Sequence, residues 1–205
     1  MQTFVSENNS ENLFVLFHGT GGNEFSLLFL TGELDPQASI ISFLGDHGLG
    51  VERRYFKPLI NGVLDEANFF KAVDAFLVDW DQQAINYSQI TFIGYSNGAN
   101  FIQGILSKRP DICQQTLLLH PQQFNLTFPA LTKKSPNSLL LTTGANDPLV
   151  IPGDILALSH QLEQSFAKVK LILLDGEHGI TDNEIAEIKQ WFETANYNCN
   201  IKQVK

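Results

Sequence analysis

Ser96 stands in the pentapeptide Gly94-Tyr95-Ser96-Asn97-Gly98, between a β-prone run (Ile90-Thr91-Phe92-Ile93) and a helix-compatible run from Ala99 to Lys108. Strand, tight Gly-x-Ser-x-Gly turn and helix are the setting in which a serine hydroxyl is held exposed on a strained backbone. Glycine suits positions 94 and 98, where a larger side chain would meet the neighbouring strand and helix. The helix directs free N–H groups and its positive dipole end at the site. A serine hydroxyl is a weak nucleophile until a base takes its proton. Two later residues have the types required. His178, in Glu177-His178-Gly179, is the base suited to neutral pH. Asp147, in Gly144-Ala145-Asn146-Asp147-Pro148, is the carboxylate that would orient the ring and stabilise the imidazolium. The competing acids Asp154 and Asp175 fit a helix start and a loop better. The chemistry these residue types would support is acyl transfer. Its tetrahedral oxyanion needs fixed donors, and the backbone N–H groups of Asn97 and Thr20 are the candidates.

These residues need a scaffold, and the hydrophobic pattern supplies one. Leu13–Phe17, Ala38–Leu44, Thr116–Leu119, Ser138–Thr143 and Lys170–Leu174 read as buried strands, with Thr3–Val5 as a short edge strand. Helices are expected at Phe25–Leu34 (capped by Asn23), Leu64–Gln83, Ala99–Lys108 and Gly153–Phe166. A last helix starts at the capping-box pattern Thr181-x-x-Glu184. Phe69, Phe70, Val73, Phe76, Leu77 and Trp80 recur at helical spacing and give one apolar face. Strands alternating with helices imply an α/β fold, a mostly parallel sheet with helices on both faces, and ligand chemistry at the carboxyl ends of its strands. Gly45–Asn61 is long enough to be a functional loop.

The 205 residues, 43% hydrophobic and 17% charged, suit a single domain over residues 1–205, with 196–205 as a frayed tail. The net charge of −9 argues against nucleic acid or anionic lipid as a main partner. No apolar run reaches the roughly 20 residues that cross a membrane, so stable membrane insertion is not expected. Cys113 and Cys199 lie far apart without metal spacing, which reads as a reducing compartment, although one disulfide stays open. With no basic, apolar leader at Met1–Glu7, the expected location is cytoplasmic. No HExxH motif or close His/Cys cluster points to a metal. The Gly19–Gly22 loop lacks the lysine ending of a phosphate loop and the full dinucleotide fingerprint. His18 is expected to shape that loop. His47 and His120 are read first as polar residues of loops and strand ends, and His160 as a helix-surface residue. Phe56 and Phe124 are among several aromatics that would serve either core or acyl pocket.

Five segments in order resemble the compact α/β-hydrolases of the phospholipase/carboxylesterase family, which includes acyl-protein thioesterases. They are Phe17–Asn23, Gly94–Asn100, Leu118–Pro121, Gly144–Pro152 and Glu177–Gly179. The likeness is strongest to the bacterial carboxylesterase branch related to the hydroquinone-induced hydrolases, and covers about Leu13 to Trp191. By this resemblance Ser96, Asp147 and His178 are the triad, in the family's order, and Thr20 and Asn97 the oxyanion donors. Acyl-protein thioesterases typically carry Gln after the nucleophile. Asn97 here favours the carboxylesterase branch. The implied activity is hydrolysis of small carboxylic esters through an acyl-enzyme, with no cofactor, no metal and no lid domain. A lysophospholipase or thioesterase would use the same residues. A catalytically silent fold that binds a ligand is the alternative from another class. The oligomeric state is open, a homodimer included.

Overall fold

Every second residue of Leu13–Phe17 faces the same way, and both faces are covered. Leu13, Val15 and Phe17 join one buried cluster, whereas Phe14 and Leu16 join a second on the opposite side. A strand buried on both faces has to be apolar throughout. The computed structural model describes the backbone of residues 1–203 and the side chains of residues 1–195. It contains seven strands: β1 (Gln2–Ser6), β2 (Asn12–Phe17), β3 (Ser39–Leu44), β4 (Gln89–Tyr95), β5 (Gln115–Leu119), β6 (Ser135–Gly144) and β7 (Phe166–Leu174). The helices are α1 (Leu28–Leu34), α2 (Glu66–Asp81), α3 (Asn97–Lys108), α4 (Pro152–Leu162) and α5 (Asp182–Gln203).

The strands form one sheet in the order β1-β3-β2-β4-β5-β6-β7, parallel except for β1, which runs antiparallel to β3. The α2, α3 and α4 helices pack on one face, through residues such as Phe76, Phe101 and Leu158. The α1 and α5 helices cover the other, through Leu30, Ile188 and Phe192. This is the α/β-hydrolase architecture, with no lid domain inserted among the described residues. The order reverses at β2, because the chain runs outward to β3 and then crosses to β4 on the other side. Loops after β2 and β4 therefore part at this point, which is where open α/β sheets bind ligands. Directly behind it, the Phe17 ring lies 5.4 to 5.9 Å from Phe43, Tyr55, Phe76, Phe92 and Phe101. Each such aromatic contact contributes about 0.5–1.5 kcal/mol beyond its buried area, so the loop that starts at His18 leaves from a rigid anchor.

Several elements differ from the sequence reading. The α1 helix begins at Leu28, with Leu27 at its cap position and no side-chain cap. Asn23 instead accepts from the N–H of Phe25 in a preceding turn. The α4 helix stops at Leu162, and Phe166, expected in that helix, is the first residue of β7. Its buried ring joins the core from the sheet, so packing overrides the apolar continuity. The α5 helix continues to Gln203, through most of the expected tail; residues 204–205 lie outside the described residues. Thr181 does accept from the N–H of Glu184, but the Glu184 side chain turns inward. Cys113 is buried and free, whereas the Cys199 side chain lies outside the described residues.

Candidate active site

Ser96 sits between β4 and α3 with φ 51° and ψ −112°. That left-handed value is rare and costly for a residue with a Cβ. Two contacts hold it: the Ser96 N–H donates to the Leu119 carbonyl at 2.8 Å, and the elbow packs too tightly to relax. A Cβ on Gly98 would lie 2.0 Å from the Phe17 carbonyl oxygen, and one on Gly94 2.7 Å from the Ala99 nitrogen. Only glycine permits this approach of α3 to the end of β2.

Ser96 Oγ lies 2.9 Å from His178 Nε2, and His178 Nδ1 lies 2.6 Å from Asp147 Oδ2. The three residues follow β4, β7 and β6, so the parallel register brings them to one edge of the sheet. Asp147 is buried, and its Oδ1 accepts from the Leu149 N–H at 2.8 Å. Burial alone would raise its pKa. The hydrogen bonds from His178, the Leu149 N–H and His120, with the charge of His178, outweigh burial and hold the carboxyl below its ordinary range. A carboxylate on Nδ1 places the ring proton there and leaves Nε2 free to accept from Ser96. The Tyr95 hydroxyl donates to the His178 carbonyl at 2.7 Å, and its ring lies 5.5 Å from the imidazole, which steadies the loop after β7. The rival acids Asp154 and Asp175 are exposed, on the first turn of α4 and after β7.

The proposed oxyanion donors are placed beside the serine. Thr20 and Asn97 line the same cavity as Ser96 and His178, about 260 Å³ in volume. Neither N–H is hydrogen-bonded among the described residues. The Asn97 side chain also braces the site from behind, because its Oδ1 accepts from the Tyr55 N–H at 2.9 Å and pins the loop after β3 to the elbow. His18 ties the two loops together. Its Nε2 accepts from the Gly45 N–H at 3.0 Å, so the ring proton is on Nδ1, which faces the Gly19 carbonyl at 2.6 Å. Burial lowers its pKa and favours this neutral form. The Gly21 N–H donates to the Arg53 carbonyl at 2.8 Å, a further link between the glycine loop and the Gly45–Asn61 loop. That loop holds a 3-10 turn at Gly50–Glu52 and a bridge between His47 and Arg54. Phe56 and Phe124 line the cavity, and Phe56 also belongs to the buried core. His160 is exposed on α4, and His47 does not line the cavity.

His120 departs most from the sequence reading. It is buried at 1% exposure at the end of β5, with φ 50°. Its Nδ1 lies 3.1 Å from Asp147 Oδ2, and its Nε2 3.1 Å from Oε2 of Glu184, which is itself fully buried. A neutral ring has one N–H and can donate to only one of two carboxylates; an imidazolium satisfies both. Burial opposes that charge, but the hydrogen bonds and charges of Glu184 and Asp147 outweigh it and raise the His120 pKa. The sequence signals for this network are slight: a histidine before a proline, and a glutamate that also fits a capping box. Among the described residues, His120, Asp147 and His178 bring ligand-type atoms within 4.8 Å of one another and form a group that could hold a metal. Proton-mediated contacts of 2.6 and 3.1 Å already account for their closeness.

No family model matches the chain. The Bacillus subtilis (strain 168) protein MhqD, named as a hydrolase, is 29% identical over 199 residues, covering 95% of this chain and 99% of its own. The Bacillus cereus carboxylesterase superposes with a TM-score of 0.77 at 26% identity, over 95% of this chain and 94% of that one. A carboxylesterase from Mesorhizobium loti gives 0.82 at 26% identity, over 91% and 90%. The elbow, the sheet order and these likenesses over nearly the full length give the chain the α/β-hydrolase fold and make it similar to hydrolases and carboxylesterases.

Proposed function

We propose that the chain hydrolyses small carboxylic esters with Ser96 as nucleophile, His178 as acid and base, and Asp147 as the orienting carboxylate. The observation that carries this is the pair of contacts from Ser96 Oγ to His178 Nε2 and from His178 Nδ1 to Asp147, at 2.9 and 2.6 Å. Ser96 Oγ attacks the ester carbonyl while its proton passes to His178 Nε2. The carbonyl oxygen becomes an oxyanion facing the N–H groups of Thr20 and Asn97, and each such donor typically contributes about 3 kcal/mol to the transition state. Collapse breaks the bond to the alcohol, which leaves with the proton from His178. Water then attacks the acyl-enzyme, giving its proton to His178, and the acid departs as Ser96 is restored.

The cavity of about 260 Å³ suits short acyl groups. A panel of esters and thioesters of graded acyl length tests the reading, with a fluorophosphonate to tag the nucleophile. Ser96→Ala should abolish both turnover and labelling while the protein stays folded. Substantial turnover in that variant would refute the assignment. No helix among the described residues is long and apolar enough to cross a membrane.

A further inference from the structure

Arg54 is a cation without a counter-charge among the described residues. It lines the cavity that holds Ser96, Thr20 and His178. Its side chain makes no hydrogen bond or ion pair among the described residues, and its Nε is buried without a partner. No Asp or Glu lines that cavity; the remaining polar lining is Asn97, Asn100 and Gln122. Elsewhere the arginines are engaged: Arg53 donates to the Gly45 carbonyl, and Arg109 pairs with Asp81. A guanidinium is always charged, and leaving a donor of a charged group buried and unmatched is costly. A chain with a net charge of −9 has many carboxylates to offer it, yet none faces this one.

The backbone that carries Arg54 is tightly held. Its N–H donates to the His47 carbonyl at 2.8 Å, and its carbonyl accepts from the His47 N–H at 3.0 Å. The neighbouring Arg53 carbonyl accepts from Gly21 of the glycine loop, and the neighbouring Tyr55 N–H is bound by Asn97 of the elbow. The guanidinium is thus mounted between the two segments that would form the oxyanion site. A rigidly based donor set that matches a planar carboxylate is a recognition device.

We propose that the ester substrate carries its own carboxylate, which Arg54 binds, so that the preferred class is half-esters of short dicarboxylic acids. This rests on the ester-hydrolase reading and names its substrate. The cavity of about 260 Å³ fits a short acid. The overall negative charge repels anions in general. A preference for an anionic ester must therefore come from a local cation.

The test compares monomethyl succinate, an anion at pH 7.5, with neutral dimethyl succinate, by pH-stat titration of the acid released. The wild type should prefer the anionic ester in kcat/KM. In Arg54→Gln the anionic-to-neutral ratio should fall at least ~30-fold, mostly through KM, the loss expected for a charge-assisted bidentate contact. Arg54→Lys should keep part of the ratio, since it retains charge without the fork. Calorimetry of succinate with Ser96→Ala, and with Ser96→Ala/Arg54→Gln, reads binding without turnover. Succinate should bind the first and not the second. A wild-type ratio below one, an unchanged ratio in Arg54→Gln, or an equal loss of kcat on both esters would overturn the proposal; the last would make Arg54 a partner of the oxyanion. If neither ester is cleaved, the hydrolase reading fails on these substrates, and the calorimetry alone decides whether Arg54 captures a carboxylate.

Discussion

Glu184→Gln removes one charge from the buried bridge and keeps its shape. In the wild type His120 lies 3.1 Å from an oxygen of Glu184 on one side and 3.1 Å from Asp147 on the other. The second Glu184 oxygen is buried without a partner, so the pair with His120 is what offsets the desolvation of this carboxylate. The glutamine can still accept from Nε2, but through a neutral oxygen. The loss is that between a charged and a neutral hydrogen bond in a dry site, about 2 kcal/mol. For a chain of this length that is a fall in Tm of roughly 4–8 °C. The pH dependence has a definite sign. The folded pKa of His120 is raised above 6.5. Its contribution is therefore fully present below that value and is lost as pH rises through the folded pKa. The gap in Tm between wild type and Glu184→Gln should be widest near pH 6 and narrow toward pH 9. Calorimetric scans at four pH values give this directly. A Tm gap that is constant or widens with pH would refute the bridging imidazolium.

Three further outcomes follow from the geometry. Gly98→Ala places a methyl 2.0 Å from the Phe17 carbonyl oxygen, and the elbow must shift. A stability loss of about 3 kcal/mol or more in urea titration, with slowed fluorophosphonate labelling, is expected. Tyr95→Phe removes the 2.7 Å hydrogen bond to the His178 carbonyl and should cost about 1 kcal/mol, with a several-fold fall in kcat and little change in KM. The Cys113 thiol is buried and pushed up to about 12, chiefly by that burial. Peptide mapping after iodoacetamide should find it unmodified in the folded protein and alkylated in urea.

What the sequence by itself determines here is what is local or periodic. Continuous apolar runs mark strands buried on both faces, because each alternate residue needs a covering layer, as Leu13–Phe17 shows. The glycines around Ser96 are legible because the constraint acts within five residues. Ser96, Asp147 and His178, nominated by motif, residue type and order in strand-end loops, lie within hydrogen-bond distance because a parallel sheet brings successive strand ends to one edge. Tertiary structure decides the rest. The capping-box pattern at Thr181 is half present, because Glu184 gains more from a buried histidine 64 residues away than from the helix end. Phe166 leaves the predicted helix because the sheet buries its ring. Arg54 reads as one more charge in a polar loop until the fold surrounds it with a cavity free of carboxylates. Charge pairing and burial are properties of neighbours, and for His120, Glu184 and Arg54 the neighbours lie far away along the chain.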